Sequence, residues 1–189
     1  MGNVWYNEPK TLDTAFDVMG DIVLSTAAQQ YGGFTVPEVD KILAPYAKKS
    51  YDKYVQEFLQ YSDKSWTGRE EKAIEYALDK VRRDFDQGWQ GIEYKLNTVG
   101  SSRGDYPFVT VTLGLGTGQF EKMCNISLLE VHKGGQGRDG HKKPVLFPKI
   151  VFLYDENIHG PGQCCEDVFE AGVDCSAKTM YPDWLSMSG

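Results

Sequence analysis

The stretch that most constrains this chain is Asn97–Gly118, NTVGSSRGDYPFVTVTLGLGTG. It reads as a turn rich in Gly and Ser, then a strand, then a second Gly-rich turn that opens a helix. Val109, Val111 and Leu113 alternate with Thr110 and Thr112, the two-residue period of a pleated strand in β-branched sequence. Gly114, Gly116 and Gly118 end that run, as expected where a strand must stop and bare its backbone amides. A strand-to-helix turn of this kind can hold an anion at the helix N-terminus. The spacing is not the dinucleotide fingerprint, which needs its third glycine one residue later and an acidic residue downstream. By itself it specifies a tight turn.

The rest of the chain sorts into a helical half and an alternating half. Leu12, Ala15, Phe16, Met19, Val23 and Ala27 fall at helical spacing, and Gly32-Gly33 marks the stop. Thr35-x-x-Glu38 with Pro37 between them reads as a capping box opening a short helix that reaches Ala44, where Pro45 sets a boundary or kink. A further helix carries Tyr46, Tyr51, Tyr54, Val55 and Phe58. Thr67-x-x-Glu70 caps a long helix with the face Ile74, Ala77, Leu78, Val81, Phe85, Ile92 and Leu96. Gly88 and Gly91 within it imply a bend or a close helix contact.

After the Phe108–Leu113 strand, Phe120, Met123, Cys124, Leu128 and Val131 define a helix face, and Gly134–Gly140 reads as a mobile loop. Val145–Leu153 is nearly all apolar, the pattern of a strand covered on both faces, with Pro148 marking a bulge or an edge. A helix over Cys165–Val173 and a short strand or turn over Thr179–Leu185 complete the order. The fold class is α/β, a helical first half followed by β-α-β-α units with parallel strands. No internal repeat or linker divides the chain.

Composition narrows the function. The net charge of -7 argues against a general nucleic-acid binder, which needs a basic surface. No run approaches the roughly 18 apolar residues of a membrane span, and no signal sequence is visible, so the expected location is cytoplasmic. The cysteines are Cys124, Cys164, Cys165 and Cys175; none forms a C-x-x-C pair, which argues against a zinc site. Cys164 and Cys165 read as two small, partly buried side chains. His132, His141 and His159 lack metal-like spacing and read as surface or turn residues, and Arg138 belongs to the polar loop.

Separated blocks of the sequence point further when taken together and in order. They are Met1-Gly2-Asn3, Pro9-Lys10, Gln30-Tyr31-Gly32-Gly33, Val39-Asp40-Lys41, Leu43-Ala44-Pro45-Tyr46, the Asn97–Thr112 segment, Gly114-x-Gly116-Thr117, Phe147-Pro148-Lys149 and Cys175-x-Ala177-Lys178-x-Met180-Tyr181-Pro182-Asp183. In this order the chain resembles an internal segment of the large subunit of class III, anaerobic ribonucleoside-triphosphate reductases.

The resemblance implies part of a ten-stranded α/β barrel of the glycyl radical enzyme type. Residues 1–97 would be the helical, dimer- and effector-side region, and residues 98–189 the early barrel strands with their crossover helices, together one partial domain. It implies a substrate-side loop at Ser101, Ser102 and Gly104, joined by Gly116, Thr117 and Gly118. It implies an effector triphosphate at Lys10 and Lys53, with Asp21 where the family tends to carry an effector-contacting polar residue. No catalytic residue is carried over, because the family's thiyl cysteine, glycyl radical loop and four-cysteine zinc site match nothing here. The complete family enzyme uses a glycyl radical, a structural zinc and ATP or deoxynucleotide effectors. Its partners would be the remaining reductase segments, a second copy and a radical-SAM activating enzyme, with ribonucleoside triphosphates as substrate. A non-catalytic nucleotide-binding or dimerisation module is the alternative.

Overall fold

The computed structural model describes residues 7–30, 32–98, 100 and 106–187. Helix α1 (Leu12–Gln29) starts where Thr11 Oγ1 accepts the Thr14 N–H, and it buries Leu12, Ala15, Phe16 and Val23 on one face. Strand β1 (Phe34–Val36) leads into α2 (Val39–Tyr61), and α3 (Arg69–Thr98) follows as the longest element. Strand β2 (Val109–Leu113) and α4 (Gln119–Gly134) come next, then β3 (Lys149–Tyr154), the short α5 (Glu156–His159), α6 (Glu166–Thr179) and β4 (Asp183–Ser186). The strands lie in chain order β1-β2-β3-β4, every neighbour parallel.

Pair register places Val111 beside Ile150 and Leu113 beside Phe152 on one face. That face is buried under the helices, in one apolar cluster with Phe16, Val81, Phe85, Trp89, Leu128 and Val168. Trp184 of β4 closes its far end, tilted against Phe152 and edge-on to Phe169, and donates Nε1–H to Ser176 Oγ at 3.1 Å. The opposite face carries Thr35, Thr110, Thr112, Lys149, Val151, Leu153, Asp183 and Leu185, of which Thr35, Lys149, Asp183 and Leu185 are exposed and Leu153 is buried.

Four local expectations change. Thr35 does not cap a helix. Phe34–Val36 pairs with Val109–Val111 as an edge strand, and Glu38 enters α2 in the left-handed region (φ 45°) without a side-chain cap. Its N–H instead donates to Thr112 Oγ1 at 2.8 Å. Pro45 does not break α2. It sits on the exposed side, where water can satisfy the carbonyl left free, while Leu43, Ala44, Ala47 and Ser50 stay buried across it.

Strand β3 starts at Lys149 rather than Val145, because the Asn97 side chain claims the backbone ahead of it. Asn97 Oδ1 accepts from Leu146 N (3.0 Å) and Phe147 N (3.2 Å), and Nδ2 donates to Phe147 O (2.7 Å). Pro148 thus lies just outside the ladder. The loop after α4, expected to be mobile, is closed by an antiparallel bridge in which Gln136 and Lys143 exchange both backbone hydrogen bonds, at 2.9 and 2.8 Å.

The glycines of α3 divide. A Cβ on Gly88 would lie 2.2 Å from the Phe16 ring, so the close helix contact is there; one on Gly91 would meet open space. Phe16 packs edge-on to Phe85 (6.2 Å) and Trp89 (5.1 Å), which seats α1 against α3.

Candidate functional site

In open parallel α/β sheets ligands gather beyond the carboxyl ends of the strands. At that end β2 runs into the turn Leu113–Gly118 and α4 begins. Gly114 has φ +117°, which L side chains rarely adopt, and a Cβ there would lie 2.9 Å from Leu153 O.

Side chains from three elements hold this turn. Asp40, fully buried in the first turn of α2, accepts on one oxygen from Gly116 N (2.9 Å), Gly114 N (3.3 Å) and Asn125 Nδ2 (3.1 Å). His159 of α5 accepts the Asp155 N–H on Nδ1 (3.0 Å), which leaves Nε2–H to donate to Gly114 O (2.9 Å). Burial lowers the His159 pKa from its ordinary value, against the pull of these backbone partners. Cys165 at the start of α6 directs its thiol to Gly116 O at 3.8 Å.

The Gly116 amide is therefore committed to Asp40. The turn's remaining offer to a ligand is the exposed Thr117 hydroxyl and the amides that follow it. The Glu121 carboxylate folds back over Gly118, within 2.1 Å of where a Cβ would stand, so negative charge already sits at the start of α4. Thr117 also borders a groove of about 910 Å³ between α3 and α4, with Arg82, Asp86, Lys122 and Ser127 along its walls.

Ser101, Ser102 and Gly104 lie outside the described residues. By chain order they precede β2, whereas Gly116, Thr117 and Gly118 follow it. A five-residue strand is about 16 Å long.

Lys10, Asp21 and Lys53 are all exposed. Lys10 adjoins the N-terminus of α1, and Lys53 comes one turn after Ser50, whose Oγ accepts the Leu12 N–H at 2.8 Å, so these two share one end of α1. Asp21 lies about 15 Å further along the helix. Lys53 Nζ stands over the Tyr54 ring at 5.8 Å, and Tyr54 donates to Asp84 at 2.7 Å. Burial, with the bond to Asp84 second, raises the Tyr54 pKa; burial likewise raises Asp84.

Two histidines read from sequence as surface or turn residues are buried, each at 1% exposure. His159 belongs to the turn. His132 Nδ1 pairs with the buried Glu93 carboxylate at 2.8 Å, while Gln136 Nε2 donates to the other Glu93 oxygen at 3.1 Å. Asp40, Asn125, Glu93 and the two histidines were not singled out by local pattern. The hydrogen-bond partners of these side chains lie 39 to 85 residues away, His159 with Asp155 excepted, and no spacing rule reaches that far.

A family model described as anaerobic ribonucleoside-triphosphate reductase matches residues 1–189. The chain belongs to the anaerobic ribonucleoside-triphosphate reductase family. Among similar proteins, an anaerobic ribonucleoside-triphosphate reductase of Enterobacteria phage T4 is 35% identical over 98% of this chain and 29% of its own length. Those of Haemophilus influenzae and Escherichia coli are 32% and 31% identical, again over 98% of this chain and 25% of their own lengths. The chain thus spans between a quarter and a third of the length of these reductases, as an internal segment of the family. The blocks that carried the resemblance include Val39-Asp40-Lys41 and Gly114-x-Gly116-Thr117, and Asp40 joins these two in space. Among the described residues no group of three or more His, Cys, Asp or Glu could hold a metal, and no helix is long and apolar enough to cross a membrane.

Proposed function

We propose that this chain is one segment of an enzyme that reduces ribonucleoside triphosphates to deoxyribonucleotides anaerobically. The observation that carries the reading is the family match over residues 1–189; compatible with it is the sheet, four parallel strands in chain order with helices packed on one face and the other face mixed. Further strands closing that edge into a barrel would turn the open face into an enclosed interior. The whole chain then forms one partial domain. Residues 98–189 supply early barrel strands, and residues 1–97 supply the surface toward a second copy and an effector.

In this reading Thr117 and Gly118 face the substrate side, with Gly116 shaping the turn, and Ser101, Ser102 and Gly104 are assigned to the substrate as well. Lys10 and Lys53 give an effector triphosphate its cations at the N-terminal end of α1, whose amides and dipole add to them. Asp21, a carboxylate some three turns away, stands at the margin of that site. Radical chemistry on a glycyl radical, and activation by a radical-SAM enzyme, are assigned to parts outside these residues. A structural zinc does not fit here, since no metal-sized donor group exists among the described residues. The enzyme is placed in the cytoplasm.

The test is reassembly. The chain is co-expressed with a polypeptide covering the remainder of the relatives' length, activated anaerobically and assayed for deoxynucleotide formation. The chain alone is expected to form none and the reassembled pair to form product. Product from the chain alone overturns the segment reading, and a folded but inactive pair overturns the enzyme reading.

A further inference from the structure

Cys164 and Cys165 stand side by side at the loop that leads into α6, their sulfurs 3.7 Å apart. Their environments differ sharply. Cys164 is exposed, whereas Cys165 is fully buried and occupies the N-cap of α6. One touches the turn before α4 and the other the start of α4. The Cys165 thiol reaches Gly116 O at 3.8 Å, and Cys164 O accepts from Lys122 Nζ at 2.7 Å while the same ammonium pairs with Asp167 at 2.9 Å. The Cys165 N–H donates to Ile158 O at 2.8 Å, which fixes the pair relative to α5.

We propose that Cys164 and Cys165 form a thiol–disulfide exchange site for low-molecular-weight disulfides, and that their joining releases the hold on the Gly116–Thr117 turn. The inference is independent of whether the turn meets a nucleotide. Exposed Cys164 is the entering group. Its thiolate attacks one sulfur of a small disulfide RSSR, forming Cys164–S–S–R and expelling RS⁻, which takes up the proton that Cys164 lost. Cys165 then gives up its proton and attacks Cys164 Sγ, expelling the second RS⁻, which is protonated in turn. The two cysteines lose two electrons and two protons, and RSSR is reduced to two RSH.

The order of events follows from the surroundings. Burial pushes the Cys165 thiol up to about 11, against the pull of the Lys122 ammonium, so it stays protonated and bonded to Gly116 O until the mixed disulfide forms beside it. Cys124 and Cys175 are buried and their thiols are raised by burial too, so they do not compete. Consecutive Cα atoms are about 3.8 Å apart, shorter than the roughly 4.4–6.8 Å that relaxed disulfides span. The product is therefore strained, and strained disulfides are the ones readily reduced again. Once it forms, Cys165 has no S–H, and Gly116 O loses that partner.

The experiment treats the 189-residue chain with graded glutathione disulfide, then reads intact mass, cysteine-bearing peptides and amide exchange over Gly116–Phe120. The expected result is a mass lower by two hydrogens, one bond joining Cys164 to Cys165, and several-fold faster exchange in the turn, all reversed by excess reduced glutathione. Cys165→Ser is expected to stop at a glutathione adduct on Cys164, and the exposed change Cys164→Ser to leave the chain unreacted. An unsubstituted chain that stays fully reduced, stops at the adduct or links Cys124 or Cys175 overturns the exchange site. A Cys164–Cys165 bond with unchanged turn exchange overturns the link to the turn.

Discussion

Two contacts of closest approach hold this molecule together, and they work by different physics. Between α1 and α3 the Phe16 ring lies where a Gly88 side chain would be, with Phe85 and Trp89 edge-on beside it. That contact is one of shape, a glycine notch filled by an aromatic ring, with the Lys95–Asp17 pair (3.6 Å) further along the same two helices. Between α2 and the turn after β2, Asp40 Oδ2 gathers three N–H donors and stands 2.8 Å from where a Gly116 Cβ would be, with Glu121 closer still at 2.4 Å. That second contact is polar, directional and fully buried. An apolar seam tolerates small shifts of its partners, whereas a buried carboxylate with fixed donors sets the turn to within hydrogen-bond tolerance. The polar contact lies at the carboxyl ends of the strands, the end where open parallel sheets gather their ligands.

The largest expected effect tests the polar contact. Asp40→Ala strips three buried donors of their acceptor at about 1–3 kcal/mol each; with local relaxation the net loss should be about 3–5 kcal/mol. Against a total of about 5–15 kcal/mol this is severe. Chemical denaturation of the chain and its variant measures it. Asp40→Asn keeps the shape and one acceptor oxygen, so it should recover part of the loss. Equal losses for Ala and Asn would show that the carboxylate's charge, not its acceptor geometry, sustains the turn.

A smaller effect is expected at the seam. Gly88→Ala adds a methyl 2.2 Å from the Phe16 ring, an overpacking cost of about 1–3 kcal/mol. Alanine returns about 1 kcal/mol through its helix propensity, so the net loss should be about 1–2 kcal/mol by denaturant titration. Pairing Gly88→Ala with Phe16→Leu, which opens the notch, should restore part of it. Failure of that rescue would mean that the ring is not what excludes a side chain at position 88.

The two contacts also differ in how far sequence reveals them. The seam is written locally: Leu12, Ala15, Phe16 and Val23 repeat at helical spacing, and a glycine inside a long amphipathic helix flags close approach. The tight turn after β2 is equally visible in Gly114-x-Gly116-x-Gly118. What holds that turn is not. Asp40 follows Val39 in what reads as an ordinary first helical turn, and nothing local says that its acceptor is used 74 to 85 residues later. Thr35 was misread for a related reason. Thr-Val-Pro-Glu fits a helix cap as well as a strand end, and only pairing with Val109–Val111 decides. Asn97 shortens β3 through three hydrogen bonds that no hydrophobic pattern encodes.

The smallest expected effect separates the two contacts by pH. The Phe16–Gly88 contact has no titratable group in it, but the turn does. His159 Nε2–H donates to Gly114 O while Nδ1 accepts from Asp155 N, with Phe152 and Tyr154 rings at 4.9 and 5.6 Å and the Asp155 carboxylate as its neighbouring charge. Burial lowers its folded pKa below the unfolded value near 6.5. Between those two values the unfolded chain binds more protons than the folded one, so stability rises with pH there. The contribution is fully present above about pH 6.5 and fades as pH falls toward the lowered folded value. His159→Gln keeps a donor and should flatten the stability slope over that window while leaving the Gly88→Ala penalty unchanged at either end. Denaturant midpoints of the chain and both variants at pH 7.5 and 5.5 give the comparison. A slope that survives His159→Gln would move the titrating group away from the turn, and a Gly88→Ala penalty that varies with pH would show that seam and turn are coupled.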